Sequence, residues 1–179
     1  MIREITKEEI KESVRVITES FMTVADELGF TAENAPRFTA FATTEDRLMY
    51  QMEVEKRPMY GFFSDEGSDD GSGDGSGDNA GSGSGKMLGY YSLAKQSDTE
   101  WELNNLCVLP EHRHDGIGDL LLQDAFKRAS ELGAAKLNIG IVEENVRLRK
   151  WYESKGFMHL GTKKFNFFPF TCGYMEKML

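Results

Sequence analysis

The stretch VLPEHRHDGIGDLLLQD, Val108 to Asp124, constrains the fold more than any other. A strand-like run ends at Leu109 and Pro110 stops it. A turn follows, carrying Arg113, two polar residues and Gly-Ile-Gly, and then a helix-like run begins. Glycine costs roughly 1 kcal/mol relative to alanine inside a helix, so two glycines at a helix start imply a close approach to the backbone. The first amides of a helix lack intrahelical partners and lie at the positive end of its dipole. Such a junction is suited to phosphate. Gly116 and Gly118 remove side chains that would hold a phosphate off, and Arg113 offers charge-assisted hydrogen bonds. Many helix starts carry two glycines, however, and the pattern is neither GxxxxGK[ST] nor GxGxxG.

The remaining periodicities predict a mixed α/β sheet. Strands are expected at Met1–Ile5, on both sides of an acidic insert, and at Glu100–Leu109, Lys136–Val142, Phe157–Phe165 and Cys172–Leu179. A Thr6-x-x-Glu9 capping box opens a helix that runs to about Leu28 and stops at Gly29. Shorter helices fall within Thr31–Glu55, interrupted at Pro36, and further helices at Gly116–Leu132 and Asn145–Lys155. The reading is one domain over residues 1–179, with a flexible Gly/Ser/Asp loop at 64–86 inserted in a β-hairpin. The aspartates of that loop lack the ligand spacing of a calcium-binding EF-hand, and its replacement by a short turn is expected to be tolerated.

The formal net charge is −9, of which the loop contributes −5, leaving a mildly acidic remainder. That disfavours nucleic acid as a partner. No run is apolar over the roughly 18 residues of a membrane span, and MIREITKEEI has no signal-peptide core, so a cytoplasmic location is expected. Cys107 and Cys172 read as buried thiols, and His112, His114 and His159 have no metal-ligand spacing, so no metal is expected.

Context then narrows the phosphate ligand. LCVLPEHRHDGIG, followed downstream by ENVRLRKWYESKGF with Asn145, Tyr152, Gly156 and Phe157, resembles the GNAT superfamily of N-acetyltransferases. In that superfamily Arg-x-x-Gly-x-Gly is the acetyl-coenzyme A pyrophosphate loop. The resemblance spans about Glu102 to Phe157. It implies a mostly antiparallel central sheet, splayed at the cofactor site and flanked by helices. It also implies transfer of acetyl from acetyl-coenzyme A to an amine by direct attack in a ternary complex.

The same resemblance assigns roles. The pyrophosphate would sit on Arg113, His114, Asp115, Gly116, Ile117, Gly118 and Asp119, although Asp115 is electrostatically unhelpful unless it points away. The pantetheine arm would pair with Leu106, Cys107 and Val108, where a backbone amide stabilises charge on the thioester oxygen. Tyr152 would protonate the leaving thiolate, whose parent thiol has a pKa of about 8.5. Asn145, seven residues earlier and so on the same helical face, would hold the pantetheine or the helix start. Alternation places Glu102, Asn104 and Leu106 on one face, and Glu102 is the candidate general base, acting through water.

The acceptor pocket would form from residues 21–55 and 164–174, rich in phenylalanine, with acids such as Glu27 and Glu33. The FNFFPF segment reads equally as core or as a homodimer surface. A small-molecule amine is the leading acceptor. A protein or peptide amino group, or a non-catalytic acyl-coenzyme A module, are the alternatives.

Overall fold

The computed structural model describes residues 1–65 and 85–179. The acidic loop expected at 64–86 lies almost entirely outside them. Its two ends are joined where the Ser64 amide donates to the Lys86 carbonyl at 2.9 Å.

The chain begins with strand β1 (Ile2–Glu4) and the capping box, in which the Thr6 amide donates to Glu9 Oε2 at 2.8 Å. Helix α1 (Ile10–Leu28) buries Ile10, Ser13, Val16, Ile17, Ser20 and Ala25, a stripe at three- and four-residue spacing. It ends at Gly29 in the left-handed conformation. The short α2 (Thr39–Ala42) and α3 (Glu45–Glu53) follow, then β2 (Met59–Phe63), β3 (Met87–Lys95) and β4 (Glu100–Val108). A 3-10 turn at Pro110–His112 leads to α4 (Ile117–Glu131), β5 (Lys136–Val142), α5 (Val146–Ser154), β6 (Met158–Lys164) and β7 (Thr171–Met178).

The seven strands form one mixed sheet in the order β1-β2-β3-β4-β5-β7-β6. Every neighbouring pair is antiparallel except β4 with β5. Helices α1 and α4 cover opposite faces of β3 and β4. Tyr91 reaches α4, where its hydroxyl donates to Asp124 at 2.6 Å. The adjacent Tyr90 points to the other face, in register with Cys107 beside Ser20 of α1. The main core fills both interfaces with Leu93, Leu109, Leu121, Leu122 and Leu137. A smaller aromatic core joins the end of α1 to the β6–β7 connection through Phe30, Phe38 and Phe170.

Two irregularities in the sheet prepare the site. The parallel pairing of β4 with β5 covers only Glu100–Glu102 against Lys136–Asn138. Both strands continue beyond it, to Val108 and Val142, so they splay apart and leave the facing backbone edge of β4 without a strand partner. In addition, β4 carries a bulge. Ser92 faces Asn104 and Tyr90 faces Cys107, so two residues of β4, Asn105 and Leu106, oppose Tyr91 alone. Asn105 takes φ +54°, a left-handed conformation that asparagine tolerates better than most residues.

The bulge corrects the simple alternation expected for this strand. Glu102 and Asn104 share their face with Cys107, and Leu106 turns to the other, because the extra residue shifts the period-two count by one.

Candidate functional site

The turn after β4 is held by its arginine. Arg113 donates Nε–H to the Val108 carbonyl at 3.3 Å, Nη1–H to Thr23 Oγ1 at 2.9 Å and Nη2–H to the Ser20 carbonyl at 2.8 Å. All three acceptors belong to the protein, two of them on α1. Three of its N–H groups therefore tie the turn to α1 and to the end of β4, a positioning task that spacing alone did not suggest for this arginine. Burial lowers its pKa, but an arginine stays charged under any ordinary condition.

With the turn anchored, its backbone opens. His114 and Gly116 have φ +72° and +81°, and Gly116 caps α4 in the left-handed region. The amides of His114, Asp115, Gly116, Ile117, Gly118 and Asp119 have no acceptor among the described residues. Six consecutive free amides at a helix start form a nest for an anion. Gly118 lines the space beside them. A methyl group placed there would come no nearer than 3.9 Å to any protein atom outside its own helix backbone and chain neighbours, the nearest being Trp151 and Val108. The protein's own packing therefore does not require glycine at 118. Asp115 is exposed beside His112, its carboxylate outside the cavity, which removes the electrostatic objection to an anion. Ile117 is buried in the core and Asp119 pairs with Lys155 at 2.8 Å, so these two offer backbone only.

The nest opens into a cavity of about 720 Å³ between the end of α1, the tail of β4, and the first turns of α4 and α5. Leu106, Cys107, Val108, Arg113, His114, Gly116, Gly118, Asn145 and Tyr152 all line it. So do Arg147 and Trp151, which spacing alone did not single out. Arg147 brings a second cation to the rim, 3.6 Å from Glu27. A basic residue two positions into a helix that follows an asparagine cap was the available signal.

A second cavity, of about 240 Å³, lies where β4 and β5 splay. Its walls include Phe21, Phe38, Phe168 and Phe170, with Arg37, Asn105 and Tyr174 among its polar members. The two cavities share Phe21, Val24, Leu106, Asn145, Leu148 and Tyr152. Neither Glu27 nor Glu33 lines the smaller one: Glu27 belongs to the larger, and Glu33 is exposed beyond both. FNFFPF is divided. Phe168 and Phe170 form cavity wall and minor core, whereas Phe167 is exposed under Arg37.

At the shared wall, Tyr152 is buried with its ring edge-on to Trp151 and Phe157, at centroid distances of 4.9 and 5.2 Å. Burial raises its pKa, with the nearby Cys107 adding to the shift, so the phenol stays protonated well above neutrality. Asn145 caps α5, its Oδ1 accepting from the Leu148 amide at 3.2 Å. Cys107 is pushed up to about 12 by burial, which leaves it a thiol and a poor nucleophile.

Glu102 lines neither cavity. It sits near the Glu100–Glu102 pairing with β5, its Oε2 accepting from Gln96 Nε2 at 2.8 Å. Burial raises its pKa, Arg57 lowers it in part, and its charge is felt at Tyr174 in the small cavity. His159 is bound to Glu143 at 2.9 Å, away from both cavities.

Comparison with known proteins matches residues 33–157 to the model of the acetyltransferase (GNAT) family. An uncharacterised N-acetyltransferase of Mycobacterium tuberculosis is 30% identical over 81 residues, which is 45% of this chain and 52% of that protein. The chain thus spans about half the length of the curated relatives it matches. Among solved structures, the PaiA N-acetyltransferase of Thermoplasma acidophilum in complex with coenzyme A superposes with a TM-score of 0.77 at 18% identity, over 100% of this chain and 98% of that one. The ribosomal-protein-S18-alanine N-acetyltransferase of Escherichia coli gives 0.69 at 14% identity, over 99% and 92%.

Proposed function

Because the chain belongs to the GNAT acetyltransferase family, we propose that it transfers an acetyl group from acetyl-coenzyme A to the primary amine of a small molecule. The observation that carries this reading is the junction of the two cavities. One lies over a nest of free amides, the other is a small aromatic pocket, and Tyr152 belongs to both.

Acetyl-coenzyme A, when bound, supplies the acetyl group as an activated thioester. The residues present fit it. The amides of His114 to Asp119 would hold the pyrophosphate, and Gly118 would leave room for its approach. Arg113 acts at one remove, holding the turn against Ser20 and Thr23. Arg147 and His114 add polar contacts at the rim. The unpaired edge of β4 from Leu106 to Val108 offers backbone groups to the pantetheine arm and to a carbonyl oxygen. Asn145 fixes the start of α5 and so the position of Tyr152 two turns later.

Tyr152 holds its proton on the phenolic oxygen at the cavity junction, available to a departing thiolate. Glu102, its pKa raised by burial, lies outside both cavity linings and is the candidate to accept the proton of the incoming ammonium through water. Bringing both reactants to one junction and excluding solvent with Phe21, Leu106 and Leu148 supplies much of the remaining acceleration. A cavity of about 240 Å³ is below the range typical of drug-sized ligands and favours a small acceptor over a polymer. The free thiols Cys107 and Cys172 suit a reducing compartment such as the cytoplasm. No helix among the described residues is long and apolar enough to cross a membrane.

Substitution of Tyr152 tests the reading. Tyr152→Phe keeps the ring and removes the proton, so kcat for amine-dependent thiol release should fall by about 10²- to 10⁴-fold. Coenzyme A affinity, measured by calorimetry, should stay within about twofold. An unchanged kcat would remove Tyr152 from the chemistry.

A further inference from the structure

The small cavity has an unusual charge balance for an amine site. Of the side chains that line it, Arg37 alone carries a full charge, and no carboxylate is among them. This inference rests on the acetyltransferase reading and adds to it the acceptor's chemical class. We propose that the acceptor is a primary amine whose apolar body ends in a carboxylate, and that Arg37 is the residue that binds that carboxylate.

Arg37 is available for the task. The other arginines that line the two cavities belong to the larger one, where Arg113 is tied to α1 and Arg147 stands at the exposed rim, 3.6 Å from Glu27. Arg37 has no carboxylate within 4.0 Å among the described residues, in a chain with 30 acidic and 21 basic side chains. Its guanidinium instead lies over the Phe167 ring, 4.4 Å from the centroid. That contact steadies the planar fork while leaving its N–H groups free, the arrangement suited to a two-point grip on a carboxylate.

The rest of the cavity orders the acceptor between two ends. The reacting nitrogen must lie at the wall shared with the larger cavity, beside Tyr152 and Leu106. Arg37 belongs only to the smaller cavity, so the anion is held apart from the nitrogen, with Phe21, Phe38, Phe168 and Phe170 enclosing the apolar body. Arg37 is exposed at the edge of the cavity, so the grip on the carboxylate rests on the geometry of the planar fork rather than on burial. A polyamine fits poorly. Its second ammonium would find no carboxylate in the lining and would meet the Arg37 charge.

The test uses matched pairs that differ only in the acid: 4-(aminomethyl)benzoate with benzylamine, 5-aminopentanoate with pentylamine, and spermidine as the polycation. Amine-dependent thiol release should favour the better-fitting acid over its partner by about tenfold to a hundredfold in kcat/KM, the effect of a charge-assisted hydrogen-bond pair. Arg37→Gln should bring that ratio toward one, and Arg37→Glu should invert it. Arg47→Gln, which removes an exposed charge on α3, should leave the ratio unchanged. Binding of the N-acetylated products in the presence of coenzyme A, read by thermal shift, gives the same comparison without turnover. Equal values within every pair, a preference that survives Arg37→Gln, or failure of every acid product to bind would overturn the proposal. Product binding that depends on Arg37 without any thiol release would uphold the carboxylate site and count against the transfer reading alone.

Discussion

Replacing Gly118 by alanine should separate what the fold needs from what the ligand needs. A Cβ at this position meets nothing nearer than 3.9 Å outside its own helix backbone and chain neighbours, so the substitution carries no steric penalty within the protein. Position 118 lies in the first turn of α4, where alanine is preferred over glycine by up to about 1 kcal/mol. For a chain of this size, that gain raises Tm by about 1–4 °C. The same methyl stands in the wall of the larger cavity, over the free amides. Holding a phosphate off by a methyl's width removes one or two charge-assisted hydrogen bonds, each worth about 1.5–3 kcal/mol, and so weakens coenzyme A by about 10- to 100-fold or more. Circular dichroism melts and calorimetric titration with coenzyme A read the two effects independently. A raised Tm with an unchanged Kd would refute the argument that glycine is kept at 118 for a ligand. Gly116→Ala is the contrasting variant. At φ +81° it forces a Cβ into the left-handed region and should cost about 1–2 kcal/mol of stability with or without cofactor.

Other expectations follow from the same structure. Arg113→Lys retains one donor group against three acceptors on two elements, so it should lower stability by about 2–4 kcal/mol in a chemical denaturation series. A loss of cofactor affinity at unchanged stability would instead mean that the guanidinium serves the phosphate. The raised pKa of Glu102 predicts that kcat/KM falls on acidification through a value above the ordinary carboxylate 4.5, because the base must be deprotonated. Glu102→Gln should abolish that limb and lower kcat/KM by about 10²-fold or more. Burial raises the pKa of Tyr90, Tyr91 and Tyr152 above the unfolded value of 10.0. The folded state therefore keeps three protons that the unfolded chain loses above that pH. The contribution of these three phenols is full well below pH 10 and should decline beyond it by about 4 kcal/mol per pH unit, and the Cys107 thiol, raised from 9.0 to about 12, starts a smaller decline from about pH 9. A flat stability curve between pH 9 and 11 would contradict this.

Much of this was legible in the order of residues because the relevant signals are local. Gly29 sits immediately after an apolar stripe, Pro110 after a strand, and Gly116 before a helix, and each fixes a boundary by its own backbone chemistry. The spacing of Asn145 and Tyr152 placed both on the cavity side of α5 for the same reason. What remained hidden depends on distant partners. The direction of the Arg113 side chain is set by Ser20 and Thr23, some ninety residues away, and a loop arginine between a strand and two glycines gives no hint of them. The bulge at Asn105 and Leu106 breaks an alternation that looks regular in WELNNLCV, because the register is decided by β3. Arg37 and Arg147 stay exposed in the structure, and only the packing of distant elements shows that they stand at the edges of the two cavities. The same holds for Glu27 and Glu33, which are near the smaller cavity's residues in sequence but do not line it in space.

The most direct test is thiol release from acetyl-coenzyme A by the wild-type chain, followed with and without a panel of carboxylated, neutral and polycationic amines, with coenzyme A binding measured on the same preparation. An acetyltransferase should show tight cofactor binding, negligible release without amine, and release that rises with one class of small amine to give the N-acetylated product. Cofactor binding with no amine-dependent release, for any acceptor including short peptides, would contradict that reading and leave a fold that holds the cofactor without transferring its acetyl group.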